Sequence, residues 1–109
     1  MTDAEVLAGA LIDHRTDRKF MDEATWGIPC ASVPDVHAIH AAMIETPGKL
    51  GSHAGWKVGT TNEAAWTAFN QVEPMRAPIF SNSIVRSPGV FGKTEDNLTM
   101  LEAEFGAPL

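Results

Sequence analysis

Cysteine is nearly absent from this chain. Its 109 residues include one, Cys30, so no internal disulfide can form. That suits a reducing compartment. Basic residues are also few: eight Lys and Arg stand against fourteen Asp and Glu, a net charge of −6. A nucleic-acid surface needs clustered Lys and Arg, so the balance argues against that class of partner. No apolar run approaches the roughly 20 residues of a membrane helix. The start, "MTDAEVLAGAL", lacks the basic stretch of a secretory signal. There is no internal repeat, no low-complexity tract and no Gly-x-Ser-x-Gly elbow of the kind that exposes a catalytic serine. These absences predict a soluble, cytoplasmic protein with no membrane and no nucleic-acid partner.

What is present is an order of patterns. Thr2 and Glu5 form a capping box, and Val6, Leu7, Ala10, Leu11 and His14 then recur at helical spacing. A first helix is predicted to run to about Phe20, where "TWGIP" breaks it. Ser32 opens a second helix, with Pro34 tolerated in the first turn and an apolar stripe at Val36, Ile39, His40, Met43 and Ile44. After the loop "TPGKLGS" the period changes to two. "GWKVG" reads as a short strand, Trp56 and Val58 facing the core and Lys57 the other side. A second capping box, Thr60 and Glu63, opens a short helix through "AAWTAF". "PIFSNSIV" and "GVF" read as strands, "TEDN" as a turn, and "LTMLEAEF" as a final strand by its alternation. Helices first and strands afterwards predict an α+β fold, with a helical region at 1–53 and the start of a β-rich domain at 54–109.

Three stretches could carry chemistry. On a strand, Glu102 and Glu104 share a face, about 7 Å apart at the backbone. Two converging carboxylates repel unless a hard divalent cation such as Mg²⁺ or Mn²⁺ lies between them. The alternative is a plain solvated strand face. Lys57 sits in a glycine-flanked run, where missing side chains could let a substrate approach a pocket wall. The alternative is an edge-strand lysine that blocks aggregation. "SPGVFGKT" at 87–94 nearly matches a phosphate loop, but Ser87 replaces its first glycine and a turn and a strand follow, not a helix, so we reject it. His14 and His40 read as satisfied core histidines, while His53 could approach a pocket near Lys57. No base accompanies Cys30.

"AGWKVGTTNEAAW", then "EPMRAPIFSNSIVRSPGVF", then "LEAEF" resembles the 2-keto-4-pentenoate hydratase and 4-oxalocrotonate decarboxylase branch of the fumarylacetoacetate hydrolase superfamily. The order and spacing of these segments carry the resemblance, which runs from the first helix to Phe105. It implies the first part of that family's mixed β fold. It also implies Mg²⁺ or Mn²⁺ held by Glu102, Glu104 and a third acidic residue further along. The metal would act as a Lewis acid on an enolate of a 2-oxo acid. Lys57 would lie beside the substrate, holding its carboxylate or relaying a proton.

The resemblance further implies a lyase of aromatic catabolism. Its substrate would be a 2-hydroxy-2,4-dienoate or the 2-oxo tautomer. The decarboxylase of the same branch is the alternative activity. Homo-oligomers or a hydratase–decarboxylase complex are the implied protein partners, and a non-catalytic partner-binding piece is the alternative of another class. Two departures stand out. Where many relatives carry an acid after the "P-[IL]-F" segment, this chain has "FSNS", so Asn82 is left to orient a water or a substrate oxygen. Family chains also continue well beyond E-x-E, so the sequence reads as an N-terminal fragment lacking the third ligand. It is therefore expected to bind metal weakly and not to complete a turnover alone.

Overall fold

A computed structural model describes residues 1–22, 32–46, 48–90, 92 and 100–106. In order these form α1 (Asp3–Asp17), α2 (Val33–Glu45), β1 (His53–Gly59), α3 (Glu63–Ala68), β2 (Met75–Phe80) and a 3₁₀ turn at Ser81–Ser83. The fold is α+β: three helices and a two-stranded antiparallel sheet among the described residues. No helix among them is long and apolar enough to cross a membrane.

Both long helices begin where their capping boxes stand. Thr2 Oγ1 accepts from the Glu5 amide at 3.2 Å, and the Glu5 carboxylate accepts from the Thr2 amide at 2.7 Å. Ser32 and Asp35 repeat the exchange at 3.2 and 3.0 Å. Each box satisfies amides that a helix start otherwise leaves unpaired. α1 stops at Asp17, three residues short of the expected end. Arg18 turns left-handed (φ 56°), and the Lys19 amide closes on the His14 carbonyl at 2.9 Å. The buried face of α1 also differs from the expected stripe. It is Leu7, Ala8 and Ile12, with Val6 exposed.

α1 and α2 pack against each other. Ile39 and Met43 of α2 join Leu7, Ala8 and Ile12, and Phe80 completes a core of six buried residues among those described. An ion pair of Lys49 with Asp13 (2.8 Å) ties the loop after α2 to α1.

The hairpin pairs β1 with β2 from His53 opposite Phe80 to Gly59 opposite Met75, with an irregularity between His53 and Gly55. Of its side chains only Phe80 is buried. Trp56 and Val58, expected in the core, are 36 % and 50 % exposed. The Arg76 guanidinium lies over Trp56, 4.6 Å from its ring centre.

Four further expectations are corrected. α3 is capped by Asn62, whose Oδ1 accepts from the Ala65 amide at 2.8 Å, and not by Thr60. Thr60 is left-handed (φ 51°), and its hydroxyl turns back to the Gly59 carbonyl and accepts from the Met75 amide. The strand expected over "PIFSNSIV" starts earlier, at Met75, and ends at Phe80. There the Ser81 and Asn82 amides bind the Ser52 and Leu50 carbonyls and turn the chain. The expected strand "LTMLEAEF" is not formed where it is described: residues 100–106 lie outside any regular element. No neighbouring strand pairs with them among the described residues, and an unpaired strand leaves its backbone groups to water. Gly89 and Val90 of "GVF" are likewise outside any strand. Phe91, "TEDN", Cys30 and "TWGIP" lie outside the described residues.

Candidate functional site

Lys57 stands mid-hairpin, opposite Ala77. Its Nζ donates to the Val58 carbonyl at 2.8 Å and lies 3.2 Å from Oε2 of Glu104. Both side chains are half exposed, 50 % and 47 %. Two candidates 47 residues apart in sequence therefore meet, although the segment carrying Glu104 is not a strand. Glu102 is exposed and makes no ion pair or hydrogen bond among the described residues. The alternation that would align Glu102 and Glu104 requires a strand, so their shared face loses its basis here.

The family's metal can be tested against these donors. Carboxylate oxygens are the right chemistry for Mg²⁺ or Mn²⁺. The arrangement does not fit: the ammonium of Lys57 occupies one side of Glu104, and no three metal-binding side chains gather among the described residues. No step below is routed through a metal.

Asn82 is built into a loop contact. Its Nδ2 donates to the Lys49 carbonyl at 2.9 Å and its amide to the Leu50 carbonyl at 3.1 Å. Gly51 beside it is left-handed (φ 84°), and a β-carbon there would run into the Ser81 hydroxyl. This arrangement positions the end of β2 and does not place Asn82 beside Lys57 in the groove. His53 binds the Gly55 carbonyl through Nε2 at 2.9 Å and stands edge-on to Trp56, 4.7 Å between ring centres.

Lys57 lines a groove of about 760 Å³ between α2, the hairpin and the turn after α3. The described walls contain no carboxylate, in a chain with fourteen acids. Their charged groups are Lys57 and Arg76, and His37 and His40 come from α2. The rest is largely apolar, including Val33, Val36, Phe69 and Val72.

His14 is satisfied as expected, its Nδ1 against the Ala10 carbonyl at 2.8 Å. His40 is not. Its Nδ1 is buried without a hydrogen-bond partner. Burial holds its pKa below the usual 6.5, and its neighbours His37 and Arg76 push the same way, so the ring is mostly neutral at pH 7. The sequence placed Lys57 at a pocket wall and His40 on an apolar stripe, but the other walls come from separate elements that patterning does not bring together.

Comparison of the chain with protein-family models, with curated proteins and with solved structures finds no match in any of the three.

Proposed function

We propose that the chain belongs to hydratase chemistry on 2-hydroxy-2,4-dienoates and their 2-oxo tautomers, and that the Lys57–Glu104 pair is its proton-moving part. The family resemblance suggests the substrate. The observation that carries the reading is the approach of Glu104 to Lys57 at 3.2 Å on the border of a groove whose described walls carry no carboxylate. A cation there favours a bound carboxylate, and an adjacent carboxylate offers a base.

Hydration and decarboxylation of such acids both pass through an enol or enolate. In the proposed step Glu104 takes a proton from C3 of a 2-oxo acid. Lys57 donates a proton to the carbonyl oxygen as the C2=C3 bond forms. Return of the two protons restores the 2-oxo acid.

The half-reaction can be followed on its own. With 2-oxopentanoate in deuterated buffer, the chain is expected to accelerate loss of the C3 proton signal in the NMR spectrum. Lys57→Ala and Glu104→Gln should each slow the exchange by about 100-fold, the lower range for general acid–base catalysis. Exchange at the buffer rate with the intact chain refutes the reading. A 2-hydroxy-2,4-dienoate followed by its ultraviolet absorbance, and 4-oxalocrotonate followed separately by carbon dioxide release, separate hydration from decarboxylation.

A further inference from the structure

The hairpin has two outer edges, and they differ. No third strand pairs with either among the described residues, and a two-stranded sheet is marginal in water. β2 carries Pro78, which has no amide to donate and sits in an edge strand with its nitrogen facing away from the ladder. α2 also packs on β2, so that edge is a poor template. Pro78 further sets the phase of the ladder. Trp56 stands opposite it and Val58 two residues on, so both turn their N–H and C=O groups to the outer edge of β1. The Val58 carbonyl accepts there from Lys57 Nζ and not from a strand.

The two faces of β1 favour different side chains on a neighbour. Trp56 and Val58 project on one face, where both remain partly exposed. Lys57 projects on the other, between Gly55 and Gly59, where an added β-carbon would meet nothing within 4 Å. A strand that fits carries apolar side chains on the first face and a carboxylate on the second. The seat for that carboxylate is visible, because Glu104 Oε2 lies 3.2 Å from Lys57 Nζ. The segment carrying it alternates as required, Glu102 and Glu104 against Leu101, Ala103 and Phe105. It lies outside any strand, so it meets the cation without adding to the sheet.

We propose that the outer edge of β1 is a docking site for an extended partner peptide that alternates acidic and large apolar side chains. The peptide adds as an antiparallel third strand. Its apolar positions pair with Trp56 and Val58, since directly opposite residues of such a ladder share a face. One of its carboxylates takes the place of Glu104 on Lys57. An edge lysine deters indiscriminate pairing, and here its charge selects an acidic strand. The inference goes beyond the proposed function and needs only the contact geometry, not the proton transfer.

Fluorescence anisotropy of the intact chain, without substrate, tests it with a labelled synthetic peptide of the sequence "MLEAEF". Saturable binding is expected. Replacing both glutamates of the peptide by glutamine should weaken it about two- to fivefold, the worth of an exposed ion pair, and Lys57→Ala should erase that difference. N-methylation of the peptide amides at Leu and Ala should weaken binding at least tenfold, because those amides face β1. N-methylation at the two glutamates, whose amides face away, should leave it unchanged. Val58→Pro removes an outward amide and no bond to β2, and should also abolish binding. The methylated peptides need no altered chain, so misfolding of a variant cannot mimic their result. No binding, or equal effects of the two methylation patterns, overturns strand addition. Equal affinity of the glutamate and glutamine peptides overturns the acidic partner. Sedimentation of the chain alone as a dimer that the peptide does not dissociate would show the edge taken by a second copy, and the partner would fall.

Discussion

The Lys57–Glu104 contact makes a quantitative prediction. Two unit charges 3.2 Å apart attract by about 1.3 kcal/mol in bulk water and about 5 kcal/mol at an effective dielectric constant of 20. Both side chains are half exposed, which puts the pair near the weaker limit. Fixing a lysine costs up to about 2 kcal/mol of rotamer freedom, and exposed pairs measure about 0.2–1 kcal/mol. A double-mutant cycle of Lys57→Ala, Glu104→Gln and the double variant should therefore give a coupling of about 0.5 kcal/mol. Urea unfolding followed by tryptophan fluorescence measures it. The coupling should shrink between 0.05 and 0.5 M salt, as the Debye length falls from roughly 14 to 4 Å. Zero coupling at low salt would mean the residues do not meet, and the proposed proton pair would fall with the contact. Coupling above about 2 kcal/mol would mean a desolvated structural lock, too costly to open for a substrate.

Other perturbations have different sizes. Phe80→Ala removes the hairpin's one buried side chain (2 % exposed) and should cost about 3–5 kcal/mol in chemical denaturation; a cost below 1 kcal/mol would show that the sheet is not anchored there. Ser32→Ala deletes the α2 cap and should cost about 1 kcal/mol by the same measurement. The folded pKa of His40 lies below 6.5, so the unfolded chain binds the proton more readily and stability falls as pH drops below about 6.5. The urea midpoint should thus be lower at pH 5.5 than at 7.5, and His40→Leu should flatten that difference. Asp13, its carboxyl held below 3.8 by the hydrogen bond and charge of Lys49, should add a separate loss only as pH falls below about 3.8.

Much of the fold could be read from local signals. Capping boxes placed both long helices, because Thr2–Glu5 and Ser32–Asp35 act within one turn. The change to a two-residue period located β1. Signals failed where a distant partner decides. Thr60 has the spacing of a capping box, yet its hydroxyl goes to the Met75 amide 15 residues away, and Asn62 takes the cap. Residues 100–106 alternate like a strand, but pairing is what makes a strand, and no partner strand is described there. The candidate site was legible in its residue types and not in its geometry. Lys57 and Glu104 were singled out separately and meet directly, whereas Glu102 and Asn82 do not join them. His40 and Arg76 were legible only from the folded groove, whose potential depends on which charges are absent from its walls.

The connection between the two strands begins and ends on one residue. Thr60 accepts from the Met75 amide through its hydroxyl at 3.0 Å and from the Trp66 indole through its carbonyl. The segment from 61 to 74 is thereby closed at its base, and the register of the hairpin does not depend on its length. Lengthening a flexible loop is thermodynamically mild: each doubling costs only about 0.6 kcal/mol. The exposed stretch at 72–73 is therefore a natural place to splice in foreign sequence, such as an epitope or a fluorophore-binding peptide. A reporter spliced there would border the groove while the strands beneath kept their pairing, giving an optical handle on whatever the groove takes up.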